Sequence, residues 1–185
     1  MDVTDKRVTE KFAAFDKEQD PTRVIEALEA VKAAQRDLPV ADAAARTRAL
    51  SQWLLFLAAL DRYMDPQWDP KKVPVKGTAP PPTHGVVFPS GEVDPATIPD
   101  PVARAEYERA LKASEDYRDW YGVQFQLRRI EEDAMRLVEL LLAERYTNSE
   151  EDRREFERLL ATSPANELRK ERMRAVMTEP RTRRI

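Results

Sequence analysis

Residues 100–146 read DPVARAEYERALKASEDYRDWYGVQFQLRRIEEDAMRLVELLLAERY, and this stretch decides the fold. It opens on Asp100-Pro101, an N-cap followed by proline at the first helical position, where the missing N–H costs nothing. No further proline interrupts it as far as Tyr146. Tyr107, Ala110, Tyr117 and Tyr121 form one helical stripe, while Val123, Leu127, Ile130, Ala134, Leu137 and Leu141 form a second with 4-3 spacing. The stripes lose register near Trp120. A glycine inside a helix costs only about 1 kcal/mol, so the pattern predicts one continuous helix over 101–146 through Gly122 rather than a kink.

Helix is also open to the flanking chain, because 10 of the 14 prolines and 3 of the 4 glycines fall within residues 66–101, leaving the rest free to be helical. Val8, Phe12 and Phe15 keep helical rhythm over about 4–18. Asp20-Pro21 caps a helix over 21–36, with Val24, Ile25, Leu28 and Val31 on its apolar face. A short break at Asp37-Leu38-Pro39 turns the chain back into a helix over 40–64, giving an antiparallel hairpin. Residues 53–60 are apolar all round, so this helix belongs at the centre, and Asp65-Pro66 ends it. Ser149 with Asp152 imitates a capping box for a helix over 150–161. Ser163-Pro164 begins the last one, 164–177, with Ala165, Leu168, Met173 and Val176 inward. No segment shows a convincing period of two. The expected fold is all-α: a single helical domain over 1–178, a bundle with one long helix in its second half, a proline-rich strap over 66–100 between the halves and a basic tail at 179–185.

Composition narrows the chemistry. The 185 residues carry 31 Lys+Arg against 34 Asp+Glu, a net charge of -3, and 42% hydrophobic residues: too apolar for a disordered chain, too charged for a membrane one. With no cysteine and a single histidine, His84, disulfides, thiolate chemistry and multi-histidine metal centres are excluded. No Walker loop, Rossmann glycine pattern or EF-hand loop is present, and no cofactor is expected. The longest apolar run, residues 53–60, is far short of the roughly 20 residues that span a bilayer. Residues 1–19 lack the apolar core of a signal peptide, so the expected compartment is the cytoplasm by default, with an exported mature chain as the alternative.

The strap is the least ordinary segment. Loops of this length in compact domains are functional or disordered. It carries Trp68, Val73, Val75, Val86, Val87, Phe88, Val93 and Ile98, enough apolar surface to offset its ordering entropy if buried. A strap packed across the bundle is therefore expected, with a partner-ordered element as the alternative and plain disorder as the third reading. Phe88-Pro89-Ser90-Gly91 matches a type I turn. Pro80-Pro81-Pro82 lacks the context of a polyproline ligand, and His84 reads as a solvated loop residue. In Arg128-Arg129-Ile130-Glu131-Glu132-Asp133 the charges pair along a helix exterior rather than forming a catalytic carboxylate pair. Glu108–Lys112, Glu132–Arg136 and Glu150–Arg154 are further i, i+4 pairs.

These residues support a non-catalytic protein-interaction or assembly module, whose partner is another protein or a second copy of the chain. Candidate partner-binding residues are Trp68, Val87 and Phe88 in the strap and Arg181, Arg183 and Arg184 in the tail. The alternative is a small enzyme using carboxylate or tyrosine groups in a helical cleft. Third comes a nucleic-acid accessory protein with a basic C-terminal tail, disfavoured because no aromatic interleaves the arginines to stack a base.

Pro89-Ser90-Gly91, Val93-Asp94-Pro95 and Ile98-Pro99-Asp100-Pro101, running into Arg104-Ala105-Glu106-Tyr107-Glu108, with Leu127-Arg128-Arg129 beyond, loosely resemble bacterial helical proteins of no assigned function that are often exported. The likeness covers the second half of the chain and rests on caps and turns. It implies an all-α fold and export, and carries over no activity or site residue.

Overall fold

Six α-helices follow one another in the computed structural model, which describes residues 3–36, 38–39, 42–66, 68, 71, 93–147 and 149–178. They are α1 (Val3–Glu18), α2 (Pro21–Arg36), α3 (Ala43–Asp61), α4 (Pro101–Arg145), α5 (Glu150–Thr162) and α6 (Glu167–Thr178), with a 3-10 turn at Pro95–Thr97. The protein is all-α, as the distribution of prolines requires.

Local chemistry sets the boundaries. Asp20 and Asp100 accept the N–H groups of Thr22 (2.9 Å) and Val102 (3.0 Å), the capping expected before Pro21 and Pro101. Gln19, with φ of 52°, takes the left-handed conformation that turns α1 into α2. Helix α3 starts later than residue 40, because Asp42 is its cap and accepts from Ala44 at 2.9 Å; it closes at Asp61, ahead of Pro66. The start of α6 also moves, from 164 to Glu167, since the Asn166 side chain accepts the Arg169 N–H at 3.0 Å. Helix α4 is unbroken through Gly122.

The chain groups into two compact units, one of Met1–Pro66 with Gln126–Ile185 and one of Gln67–Phe125. In the first, the core is built on α3, whose Leu50, Trp53, Phe56, Leu57 and Leu60 are fully buried as its all-round apolarity predicts. Phe12 of α1 meets Phe56 edge-on at 5.5 Å, and Phe15 meets Tyr63 at 5.0 Å. The α2 face is Val24, Ala27, Leu28 and Val31, an i, i+3, i+4, i+7 set. Ile25 is not part of it and is 41% exposed, one position off the stripe. Leu127, Ile130, Ala134 and Leu141 of α4 are buried, joined by Met135, Val138 and Leu142, a wider face than the 4-3 spacing alone gives.

The second unit has a smaller core of Val93, Ile98 and Tyr107, with Ala103 and Leu111 against it. Arg104 reinforces the entry to α4 by donating from Nε and Nη2 to the Ile98 carbonyl at 3.1 and 2.7 Å. Among the strap residues singled out in the sequence, Val93 and Ile98 are buried and Trp68 is half-buried. Val73, Val75, Pro80-Pro81-Pro82, His84, Val86, Val87, Phe88 and the turn at Phe88-Pro89-Ser90-Gly91 lie outside the described residues, as do Arg181, Arg183 and Arg184. No helix among the described residues is long and apolar enough to cross a membrane.

Candidate functional site

Among the described residues, three arrangements of side chains carry chemistry beyond simple packing, two in the first unit and one in the second. The first surrounds Arg46 of α3. Its Nη2 donates to Asp152 Oδ1 at 3.0 Å and Glu155 Oε2 at 2.7 Å, its Nη1 reaches the Arg145 carbonyl at 3.3 Å, and its guanidinium lies 4.5 Å from the Tyr146 ring centre. Thr47 donates its hydroxyl to Glu155, and the Tyr146 hydroxyl lies 3.4 Å from the same carboxylate. Burial, with the Glu155 charge beside it, pushes the Tyr146 phenol above its ordinary range, so it stays protonated. Burial also opposes charge on Asp152, but the Thr147 N–H and hydroxyl and the Arg46 guanidinium outweigh it and hold Asp152 below the usual carboxylate range.

This cluster contains the carboxylate and tyrosine groups that a small helical enzyme would use, but both carboxylates are already engaged by the arginine and the hydroxyls. Chemically it ties α3 to α5. Ser149 caps α5 by accepting from the Asp152 N–H at 3.2 Å; the expected reciprocal half of the capping box does not form, because Asp152 turns instead to Thr147 and Arg46.

The second cluster is built on Arg169 of α6, whose side chain is 5% exposed. Its Nη2 lies 2.7 Å from Asp61 Oδ1 and 3.1 Å from Glu131 Oε1. Burial pulls the guanidinium down from its ordinary value, and the Glu131 and Asp61 carboxylates oppose that shift. Here two sequence readings are corrected. Glu131 does not belong to a purely outward chain of pairs: Arg128 holds one of its oxygens at 3.0 Å, while the other faces buried Arg169. Leu168 does not face inward but is 77% exposed, and Val176 is half-buried; the inward positions of α6 are Arg169, Lys170, Met173 and Met177. The spacing Ala165, Arg169, Met173, Met177 is a run of i, i+4 steps and could have identified the stripe had arginine been admitted to it. Of the surface pairs expected, Glu150–Arg154 forms, while Lys112 pairs with Asp116 at 3.3 Å.

The third arrangement is aromatic and lies in the second unit. Trp68, a candidate from the sequence, sets its ring 5.4 Å from Tyr121 and 6.3 Å from Phe125, with Phe125 itself 45% exposed. The stripe predicted from Tyr107 to Tyr121 splits: Tyr107 is buried, Tyr121 lies against Trp68, and Tyr117 points outward, 46% exposed. One turn on, Trp120 is 36% exposed, and the two rings lie 5.5 Å apart. Exposed Val102 sits on the same side of the helix as Trp120, five turns of 3.6 residues earlier. In the sequence Tyr117 belongs to a helical stripe, and Trp120 marks only the point where the stripes lose register. A stripe of aromatics bordered by Arg109, Lys112, Asp116 and Asp119, too polar on its flanks to enter a core, was the available signal.

Comparison with protein-family models, curated proteins and solved structures finds no match. Among the described residues, no group of three or more His, Cys, Asp or Glu could hold a metal ion.

Proposed function

We propose that the protein is a non-catalytic interaction or assembly module, and that the surface it uses is the outward face of α4 around Tyr117 and Trp120. One observation carries this reading: two large aromatics, adjacent in space, stand exposed on one turn of a regular helix within a charged frame. Single exposed apolar residues are ordinary. Tyr and Trp together, however, offer large rigid contact area at low entropic cost, and both are enriched at the centres of protein interfaces. The face is carried on helix rather than loop, so its side chains are already positioned and little ordering is needed on contact.

The test is a photoreactive aromatic amino acid placed at position 120 of the full chain and irradiated in a native extract. A discrete covalent adduct with a polypeptide is the expected result. Irradiation that yields only unmodified chain, while the same group at buried Phe56 cross-links within the molecule, would overturn the reading.

A further inference from the structure

The partner that this face fits is a second copy of the chain, and the inference rests on the interaction reading above. Two independent patterns run along residues 102–120, and both reverse at the same point. In size, the N-terminal half beyond Val102 presents the small side chains of Ala105, Ala110 and Ala113, whereas the C-terminal half presents Tyr117 and Trp120; of these only Ala110 is half-buried, the others being exposed. In charge, one flank of the stripe carries Arg109 and Lys112 in its first half and Asp116 and Asp119 in its second, all exposed, while the exposed Glu106 lies toward the other flank, apart from this reversal. At 100° per residue, these groups share about half of the helix circumference.

A parallel neighbour would set like charge against like charge and aromatic against aromatic. An antiparallel neighbour related by a two-fold axis near Ser114 does the reverse. It sets the Lys112–Asp116 ion pair of one copy against that of the second, Lys112 opposite Asp116, and Arg109 opposite Asp119. The same register lays Tyr117 over Ala110 and Ala113 and brings Trp120 beside Ala105 and Arg109, so that a large ring meets a small side chain and an arginine. Because the axis makes the interface isologous, every contact occurs twice. We propose that two copies pair antiparallel through this face of α4, with the axis near Ser114.

The absence of cysteine makes the register directly measurable. In the full chain, Ala113→Cys places its sulfurs beside the axis, whereas Val102→Cys places them about 36 Å apart, far beyond the roughly 4 Å between Cβ atoms that a disulfide requires. Under mild oxidation, Ala113→Cys is expected to form covalent dimers, with Val102→Cys staying monomeric at the same concentration. Cross-linking at both positions would overturn the antiparallel register, and cross-linking at neither would overturn self-pairing. In sedimentation at about 100 μM, the unmodified chain is expected to gain mass toward two copies. The doubly substituted Arg109→Asp/Lys112→Asp and Asp116→Lys/Asp119→Lys chains should each dissociate at least about tenfold more readily, and an equimolar mixture of them should re-associate. These positions are exposed, and unchanged circular dichroism verifies that each variant is folded. A chain that stays monomeric here, yet gives an adduct of heterologous mass in the photochemical experiment, would overturn self-pairing and leave the interaction reading standing.

Discussion

The Tyr107 hydroxyl accepts the Val93 backbone N–H at 3.0 Å, inside the small core that the two residues share with Ile98. This one contact anchors the end of the proline-rich segment to α4. Removing the hydroxyl while keeping the ring leaves a buried N–H without that partner, so Tyr107→Phe is expected to cost about 1–3 kcal/mol. Denaturant unfolding followed by circular dichroism measures it, and a loss below about 0.5 kcal/mol would show that the N–H is satisfied by another group.

Arg169 is expected to dominate the docking of α6. Truncation to alanine removes a buried cation from Asp61 and Glu131 and leaves two carboxylates facing each other, so a loss of about 3–5 kcal/mol is predicted. Leu168→Ala, at an exposed position on the same helix, should stay within about 0.5 kcal/mol. Equal effects at the two positions would contradict the inward face assigned to α6.

Acid should weaken the tie between α3 and α5. The folded-state pKa of Asp152 is depressed, so its contribution to stability is present above the unfolded value of about 4 and is lost as pH falls through the folded value. Asp152→Asn is therefore expected to be less stable than the parent chain near neutrality and to lose less on acidification. Parallel stability curves for the two chains between neutrality and strong acid would contradict it.

Gly122 lies within the unbroken span of α4, and a Cβ built there meets nothing within 4 Å. Gly122→Ala should raise stability by about 1 kcal/mol through helix propensity and a less flexible unfolded chain. A fall in melting temperature would mean that the position needs glycine.

Much of this architecture could be read from the chain, for identifiable reasons. Prolines and glycines concentrated in one segment left little choice but helix elsewhere, and aspartates before Pro21 and Pro101 marked two helix starts directly. Hydrophobicity alone does not decide burial in this chain. Leu168 is apolar but exposed, whereas Arg169 is charged but buried, because carboxylates from α3 and α4 converge on it from more than 30 residues away in sequence. Ile25 failed similarly, since Ala27 is small enough to be overlooked yet completes the α2 face. Tyr117 fits a helical stripe and Trp120 stands where the stripes lose register, but a period cannot tell which side of a helix meets a core when both sides carry aromatics.

Whether the Tyr117–Trp120 face is covered can be read from the rate at which hydroxyl radicals oxidise the two rings in the full chain, compared between high dilution and a concentrated or native mixture. Exposed rings react quickly, and rings covered by a partner do not. Both are expected to be several-fold protected in the concentrated or native mixture, while exposed Phe125 keeps its rate. Equal oxidation of Tyr117 and Trp120 under both conditions would contradict it.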